Sequence, residues 1–412
     1  MTVRAVLTCQ GCGAPLTLSL VDLGLSPLSN AFVPASRAGE ADHAYPLHAR
    51  VCQSCWLVQV DSVATPGEIF HDYVYFSSFS DSWLEHCRVY AEMVTARFGL
   101  DAKSQVVEVA SNDGYLLKNF VAAGIPALGV EPAANVAEAA RARGVPTEVA
   151  FFGAETARRL AAQGKSADLL AAKNVLAHVP DINDFVQGVR LLLKPEGVFT
   201  VEFPHLLNLI RDAQFDTIYH EHFTYLSLLA VERVFARHGL RVFDVEETPT
   251  HGGSLRVFAC LTGASHAVQP GVAAISAKEA AAALDRPQGY AGFQARVERV
   301  RDDLLAFLSQ AKAEGRSVAA YGAAAKGNTL LNYSGVGPAD VAFVVDRNPA
   351  KQDKLLPGSR IPVRAPEAID AARPDYILIL PWNLRDEVVD QLAHARAWGA
   401  RFVTAIPGLR VD

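Results

Sequence analysis

The chain has 412 residues, half of them hydrophobic and a fifth charged, with a formal net charge of −6. That length suits two or three globular domains. The composition excludes disorder, and the acidic balance, with no basic run longer than a pair, excludes nucleic acid or an anionic membrane as the main partner. No apolar run approaches the length that spans a bilayer, and the start, Met1-Thr-Val-Arg, lacks the apolar core of a signal peptide, so a cytoplasmic protein is expected.

Four of the six cysteines fall as Cys9-x-x-Cys12 and Cys52-x-x-Cys55. In a reducing compartment such pairs read as zinc ligands rather than disulfides. Four thiolates complete a tetrahedron and leave no open position, so the ion is expected to be structural. Residues 1–66 then form a zinc-binding module, too small to be stable without the metal. The aromatic, hydroxyl-rich run that follows holds Tyr73 and Tyr75, which read equally as packing or as reaching into a cleft, and leads into a helix through about residue 98.

Residues 67–265 alternate strand and helix, with strands expected at 106–110, 127–131, 167–171 and 197–203. Two more, 241–247 and 255–261, flank Thr250-His-Gly-Gly-Ser254 and make an antiparallel hairpin closing an otherwise parallel sheet. The first strand runs into Glu108-Val-Ala110-Ser111-Asn112-Asp113-Gly114, placed to bend under a nucleoside. The second ends in Glu131-Pro132, where an acid can bind both hydroxyls of a ribose. The glycine-rich pyrophosphate fingerprint of a dinucleotide site is missing, and with the hairpin this favours S-adenosylmethionine over NAD. Asn174 and His178, after the strand at 167, point toward the cleft mouth in such a sheet. The run Tyr219-His220-Glu221-His222 sets four groups able to donate, accept or shuttle protons side by side, which suits moving a proton near neutral pH.

Residues 266–412 open with an Ala-rich helix and a long amphipathic helix at about 290–313. A second, smaller α/β unit follows, with strands from 318, at 341–346, 375–380 and 402–406. Its first loop, Gly322-Ala-Ala-Ala-Lys326-Gly-Asn328, is similar to a phosphate cradle without being a Walker A loop; a structural role is equally open. Asp346 ends the second strand as Glu131 does.

Together these motifs resemble the zinc-containing, S-adenosylmethionine-dependent C-methyltransferases of deoxysugar biosynthesis, which methylate carbon 3 of a nucleotide-linked 4-keto sugar. The resemblance rests on the paired Cys-x-x-Cys, Tyr-Phe-Ser-Ser after Val74, Glu-Val-Ala-Ser-Asn-Asp-Gly, Asn-Val-x-x-His, Tyr-His-Glu-His-Phe, His-Gly-Gly-Ser and Gly-Ala-x-Ala-Lys-Gly. It implies a class I methyltransferase Rossmann-like domain between the zinc module and a second Rossmann-like α/β domain. It implies that His222 is the base, with Tyr219, Glu221, His178 and a tyrosine of the Tyr73/Tyr75 pair around the sugar, and that the nucleotide-sugar lies between the two α/β units. Expected substrate contacts are Tyr73, His220, His251, Ser254, Arg256, Tyr321, Lys326, Asn328 and Asp346, in a chain that can act as a monomer. An NAD-dependent oxidoreductase, a non-catalytic nucleotide-sugar binder and an O- or N-methyltransferase stay open.

Overall fold

The computed structural model describes residues 7–61 and 81–412; Tyr73 and Tyr75 lie outside them. Three sheets make the frame. In the amino-terminal module, β1 (Leu18–Pro27), β3 (Ala44–Val51) and β4 (Val58–Val60) form an antiparallel sheet, while β2 (Val33–Pro34) pairs elsewhere. Cys52 follows β3 directly and Cys55 stands just before β4, so one cysteine knuckle is the turn between two paired strands.

The middle unit carries β5 (Val106–Val109), β6 (Ala127–Glu131), β7 (Thr147–Val149), β8 (Ala167–Lys173) and β9 (Leu193–Pro204), then β11 (Leu240–Thr248) and β12 (Ser254–Leu261). Their spatial order is β11-β12-β9-β8-β5-β6-β7. Ladders among β5 to β9 are parallel, and β12 runs antiparallel to both neighbours, as the hairpin reading required. β12 is buried at seven of its eight positions, from Ser254 to Cys260, as a strand covered on both faces must be. β7 was not legible: it has three residues at the sheet edge, too short for an alternating or apolar run to register.

The carboxy-terminal unit has β13 (Val318–Tyr321), β14 (Val344–Val345), β16 (Val363–Arg364), β17 (Tyr376–Ile379), β18 (Arg401–Thr404) and β19 (Arg410–Val411) in the order β16-β14-β13-β17-β18-β19, parallel but for the last. The apolar stretch read as a strand over 341–346 supplies only the two ladder residues of β14. The remaining two-residue strand, β15 (Lys354–Leu355), pairs with β2 and so ties this unit to the first. The helix Pro270–Ala281, beyond the expected domain boundary at 265, packs back on β11, with Ile275 in the core of the middle unit.

The cores explain how the units are joined. One apolar cluster runs from Val21 and Val58 of the first sheet through Phe215 and Ile218 to the helix Phe293–Ala313 and Leu330 of the carboxy-terminal unit. Trp56 stacks on Tyr290 across it at 5.9 Å. Among the described residues no helix is long and apolar enough to cross a membrane.

Candidate active site

The run Tyr219-His220-Glu221-His222 sits where all three units meet. It leaves the one-turn helix Phe215–Thr217 and returns as β10 (Thr224–Tyr225), which pairs with β4 and becomes the fourth strand of the zinc module's sheet. Ser227 then caps the helix Leu228–Arg237, its hydroxyl accepting from the Ala230 amide.

His222 Nδ1 lies 3.0 Å from the Thr217 carbonyl and Nε2 lies 2.8 Å from the Tyr219 hydroxyl. A carbonyl can only accept, so the ring proton is on Nδ1, and Nε2 carries the lone pair that receives the phenol O–H. His178 is held the same way, its Nδ1–H donating to the Glu221 carbonyl at 2.7 Å. The two imidazoles meet edge to face, 4.5 Å between centroids. Both residues are partly buried. Burial pushes His178 down to about 4, and burial plus the neighbouring His178 holds His222 well below the ordinary imidazole range. His251 stands at the hairpin tip with φ of 56°, edge-on to Trp83 at 5.5 Å, and burial lowers it to about 4.

The neighbours of His222 in the run face other ways. His220 donates from Nε2 to the Pro46 carbonyl of the zinc module and packs edge-on to Tyr45. The buried Glu221 carboxylate accepts from Asn30 of the same module at 3.3 Å, and burial raises its pKa. Of the expected substrate contacts, His251 and Lys326 both bear on His222 by charge, Lys326 also on His251, while Lys326 Nζ donates to Asn383 at 2.6 Å over the Trp382 ring. Asn328 donates to the Ser29 carbonyl, Ser254 to the Thr250 carbonyl, and Arg256 is engaged by Glu202 and Glu246. Tyr321 donates to Gln391, away from the run, and Asp346 accepts the Ala323 and Asn348 amides at the second unit's strand ends.

Sequence reasoning missed a buried charge hub. Glu202, in the apolar strand β9, takes Lys173 at 2.8 Å, His86 at 2.7 Å and Arg256 at 3.2 Å, and despite its burial these partners hold it ionised. An acid inside Val-Phe-Thr-Val-Glu-Phe was the available signal, because a buried carboxylate demands partners. Asp216 and Trp382 were also missed; the indole N–H of Trp382 donates to Asp216 at 2.8 Å.

The strand ends of β5 and β6 hold the expected cofactor residues. Glu131 accepts the Asn112 and Ala133 amides, both at 2.9 Å, one on each oxygen, and each oxygen keeps a second acceptor site for a ribose hydroxyl. Ala110, Asn112 and Gly114 take positive φ, folding the loop tightly, and Asp113 is paired with Arg143 at 2.5 Å. A Cβ on Gly129 would stand 2.2 Å from the Ser111 hydroxyl, so only glycine lets that loop close. Ser111 Oγ and Asn174 Oδ1 are buried without hydrogen-bond partners, and the buried Glu108 carboxyl meets the Tyr115 hydroxyl. Burial raises the Glu108 carboxyl well above the usual carboxylate range. Such polar atoms fit the ammonium and carboxylate of an amino acid, and Pro132 follows Glu131 directly at the end of β6. These residues suit S-adenosylmethionine.

The four cysteine sulfurs lie within 4.8 Å of one another, Cys9 to Cys55 at 3.5 Å and Cys12 to Cys52 at 3.4 Å. Zinc–thiolate bonds of about 2.3 Å would set the sulfurs roughly 3.8 Å apart, so the cluster is near the size of a zinc shell.

Comparison with known proteins agrees with this layout. Residues 9–70 match a family described as "Putative zinc binding domain", 83–245 a "Methyltransferase domain" and 249–407 a "C-methyltransferase C-terminal domain". C-methyltransferase NovU of Streptomyces niveus is 39% identical over 409 residues, covering 99% of this chain and 97% of its own length. A ubiquinone biosynthesis O-methyltransferase of Chelativorans sp. (strain BNC1) is 29% identical over 116 residues, 26% of this chain and 46% of its own. A magnesium protoporphyrin IX methyltransferase from Synechocystis PCC 6803, solved with bound SAH, is 12% identical over 43% of this chain and 82% of its own, at a TM-score of 0.35 too low to weigh. With its zinc cysteines, its methyltransferase sheet and its second α/β unit, the chain belongs to the C-methyltransferases that include NovU, enzymes dependent on S-adenosylmethionine.

Proposed function

We propose that this C-methyltransferase acts on carbon 3 of a nucleotide-linked 4-keto-deoxysugar, with His222 as the base. The reading is carried by one observation: the His222 ring is fixed through Nδ1–H on the Thr217 carbonyl, which leaves the Nε2 lone pair on the side of Tyr219. A ketone at carbon 4 acidifies the carbon 3 hydrogen. As the sugar takes the place of the Tyr219 hydroxyl against Nε2, His222 removes that proton, and the electron pair of the carbon–hydrogen bond moves into an enolate. The released Tyr219 hydroxyl and the Lys326 ammonium are the donors available to the enolate oxygen. Bound S-adenosylmethionine supplies the electrophilic methyl group. Because burial weakens His222 as a base, the donors to the oxyanion must carry much of the barrier lowering. Within the proposed roles His178 holds the loop through the Glu221 carbonyl, and Glu131 binds the ribose of the cofactor.

The test is mass spectrometry on a panel of nucleotide 4-keto sugars with S-adenosylmethionine, run beside solvent deuterium exchange at carbon 3. His222→Asn should lose exchange and methyl transfer together, by roughly 100- to 10,000-fold, since the amide keeps a hydrogen bond but cannot take a proton. An Asn variant exchanging at the normal rate assigns the proton to another group.

A further inference from the structure

We infer that Asp216, gripped by Trp382 of the carboxy-terminal unit, is a positioning residue that fixes which ring nitrogen of His222 carries the proton. The inference rests on His222 being the base. Asp216 is buried completely, in the one-turn helix Phe215–Thr217, and its Oδ2 accepts the Trp382 indole N–H at 2.8 Å. The next residue, Thr217, presents the carbonyl that receives His222 Nδ1–H. The carboxyl also faces the Lys326 ammonium, which the helix Ala325–Ser334 brings from the same unit, and burial raises it to about 6.

A buried carboxyl is costly to keep unless its partners repay it. Asp216 hydrogen-bonds neither His222 nor the cofactor edge; what it joins is the turn that carries the Thr217 carbonyl to the loop that carries Trp382. The Trp382 ring is itself wedged: a Cβ on Gly252 of the hairpin tip would stand 2.4 Å from it. Thr329 adds a second tie from the same unit, its hydroxyl donating to the Ile218 carbonyl at 3.0 Å. Moving the Thr217 carbonyl removes the acceptor that favours Nδ1–H, and the other tautomer has its proton on the nitrogen that must act as base.

The experiment uses the full chain with labelled histidine. Nitrogen NMR, with His222 assigned by difference against His222→Asn, reads the tautomer, and steady-state kinetics run in parallel. Trp382→Phe, which keeps a ring but no donor, should lower kcat about 10- to 100-fold with KM changed less than about threefold, the scale of a small misplacement of a reacting group. The His222 signals should shift toward the Nε2–H form. Asp216→Ala should do the same, and Asp216→Asn, whose amide oxygen still accepts, should recover most of the loss. S-adenosylhomocysteine binding reports that each variant is folded. An unchanged tautomer in Trp382→Phe overturns the inference, as does a raised KM at constant kcat, which would make Trp382 a substrate contact. If instead His222→Asn keeps its exchange activity, it is the assignment of the base that fails.

Discussion

The imidazoles of this site make acid a specific threat to the fold, and the effect can be counted in protons. His178 and His251 are each held at about 4 by burial. An unfolded imidazole titrates near 6.5. At pH 5.5 the unfolded ring is about nine-tenths protonated and the folded one almost neutral, so unfolding takes up as much as about 0.9 proton at each ring. The unfolded state binds the extra proton, so stability is complete above about pH 6.5 and falls as pH drops toward 4, by about 1.4 kcal/mol per pH unit for each ring. The measurement is the proton uptake on urea unfolding at pH 5.5 in weak buffer, which needs no two-state assumption in a chain of several units. Other groups contribute with both signs: Asp216 and Glu131 sit above their ordinary values, Glu202 below. The informative quantity is therefore wild type minus His251→Gln, expected near 0.9. A difference close to zero would mean that the folded ring is already protonated and that burial does not govern it. The same physics moves the acid limb of kcat to a pH below the value of about 6.5 that an unshifted base would give.

Three further outcomes follow from the geometry. Chelating the metal, or Cys52→Ser, should slow methyl transfer and also expose the run 217–225 to protease, because the knuckle at Cys52 sets the strand on which β10 pairs; elemental analysis and limited proteolysis check both, and an unaltered cleavage pattern in zinc-free protein would contradict it. Glu131→Ala should weaken S-adenosylmethionine by about 2–3 kcal/mol in calorimetry, the scale of charged hydrogen bonds to a diol, and unchanged affinity would place the ribose elsewhere. Gly252→Ala should cost on the order of 1–3 kcal/mol of stability, since φ there is +87° and the new methyl would meet the Trp382 ring; an unshifted urea midpoint would show that the seam yields freely.

The parts of the fold that were legible in the sequence are those whose signal is local. Buried parallel strands read as short apolar runs, and β6 was placed to the residue because Pro126 and Glu131 bound it. The knuckles read from spacing, since two thiolates with two residues between them have few other uses. What stayed hidden was long-range. β10 has two residues and is a strand only because β4 lies beside it. His220 and Glu221 look interchangeable with His222 in the sequence, yet the turn sends them to Pro46 and Asn30. Trp382 is 166 residues from Asp216, and no periodicity connects a residue after β17 to a turn before β10.

Why three units should converge on nine residues follows from backbone accounting. A loop that must hold reacting groups to a fraction of an ångström cannot leave its amides and carbonyls to water, and a loop has no ladder of its own to satisfy them. Within 217–225 the partners come from everywhere. The Thr217 carbonyl takes His222, the Ile218 carbonyl takes Thr329 of the carboxy-terminal unit, and the Glu221 carbonyl takes His178 of the middle unit. The Phe223 amide goes to the Ala177 carbonyl and its own carbonyl to the Val60 amide of the zinc module, after which Thr224 and Tyr225 join that module's sheet. Each unit supplies bonds the other two cannot replace. A change that merely loosens one unit from the others, without touching any group that meets the substrate, should therefore act on kcat before it acts on binding if His222 is the proposed base, because what it removes is the fixed geometry of His222 and Tyr219 rather than a contact to substrate.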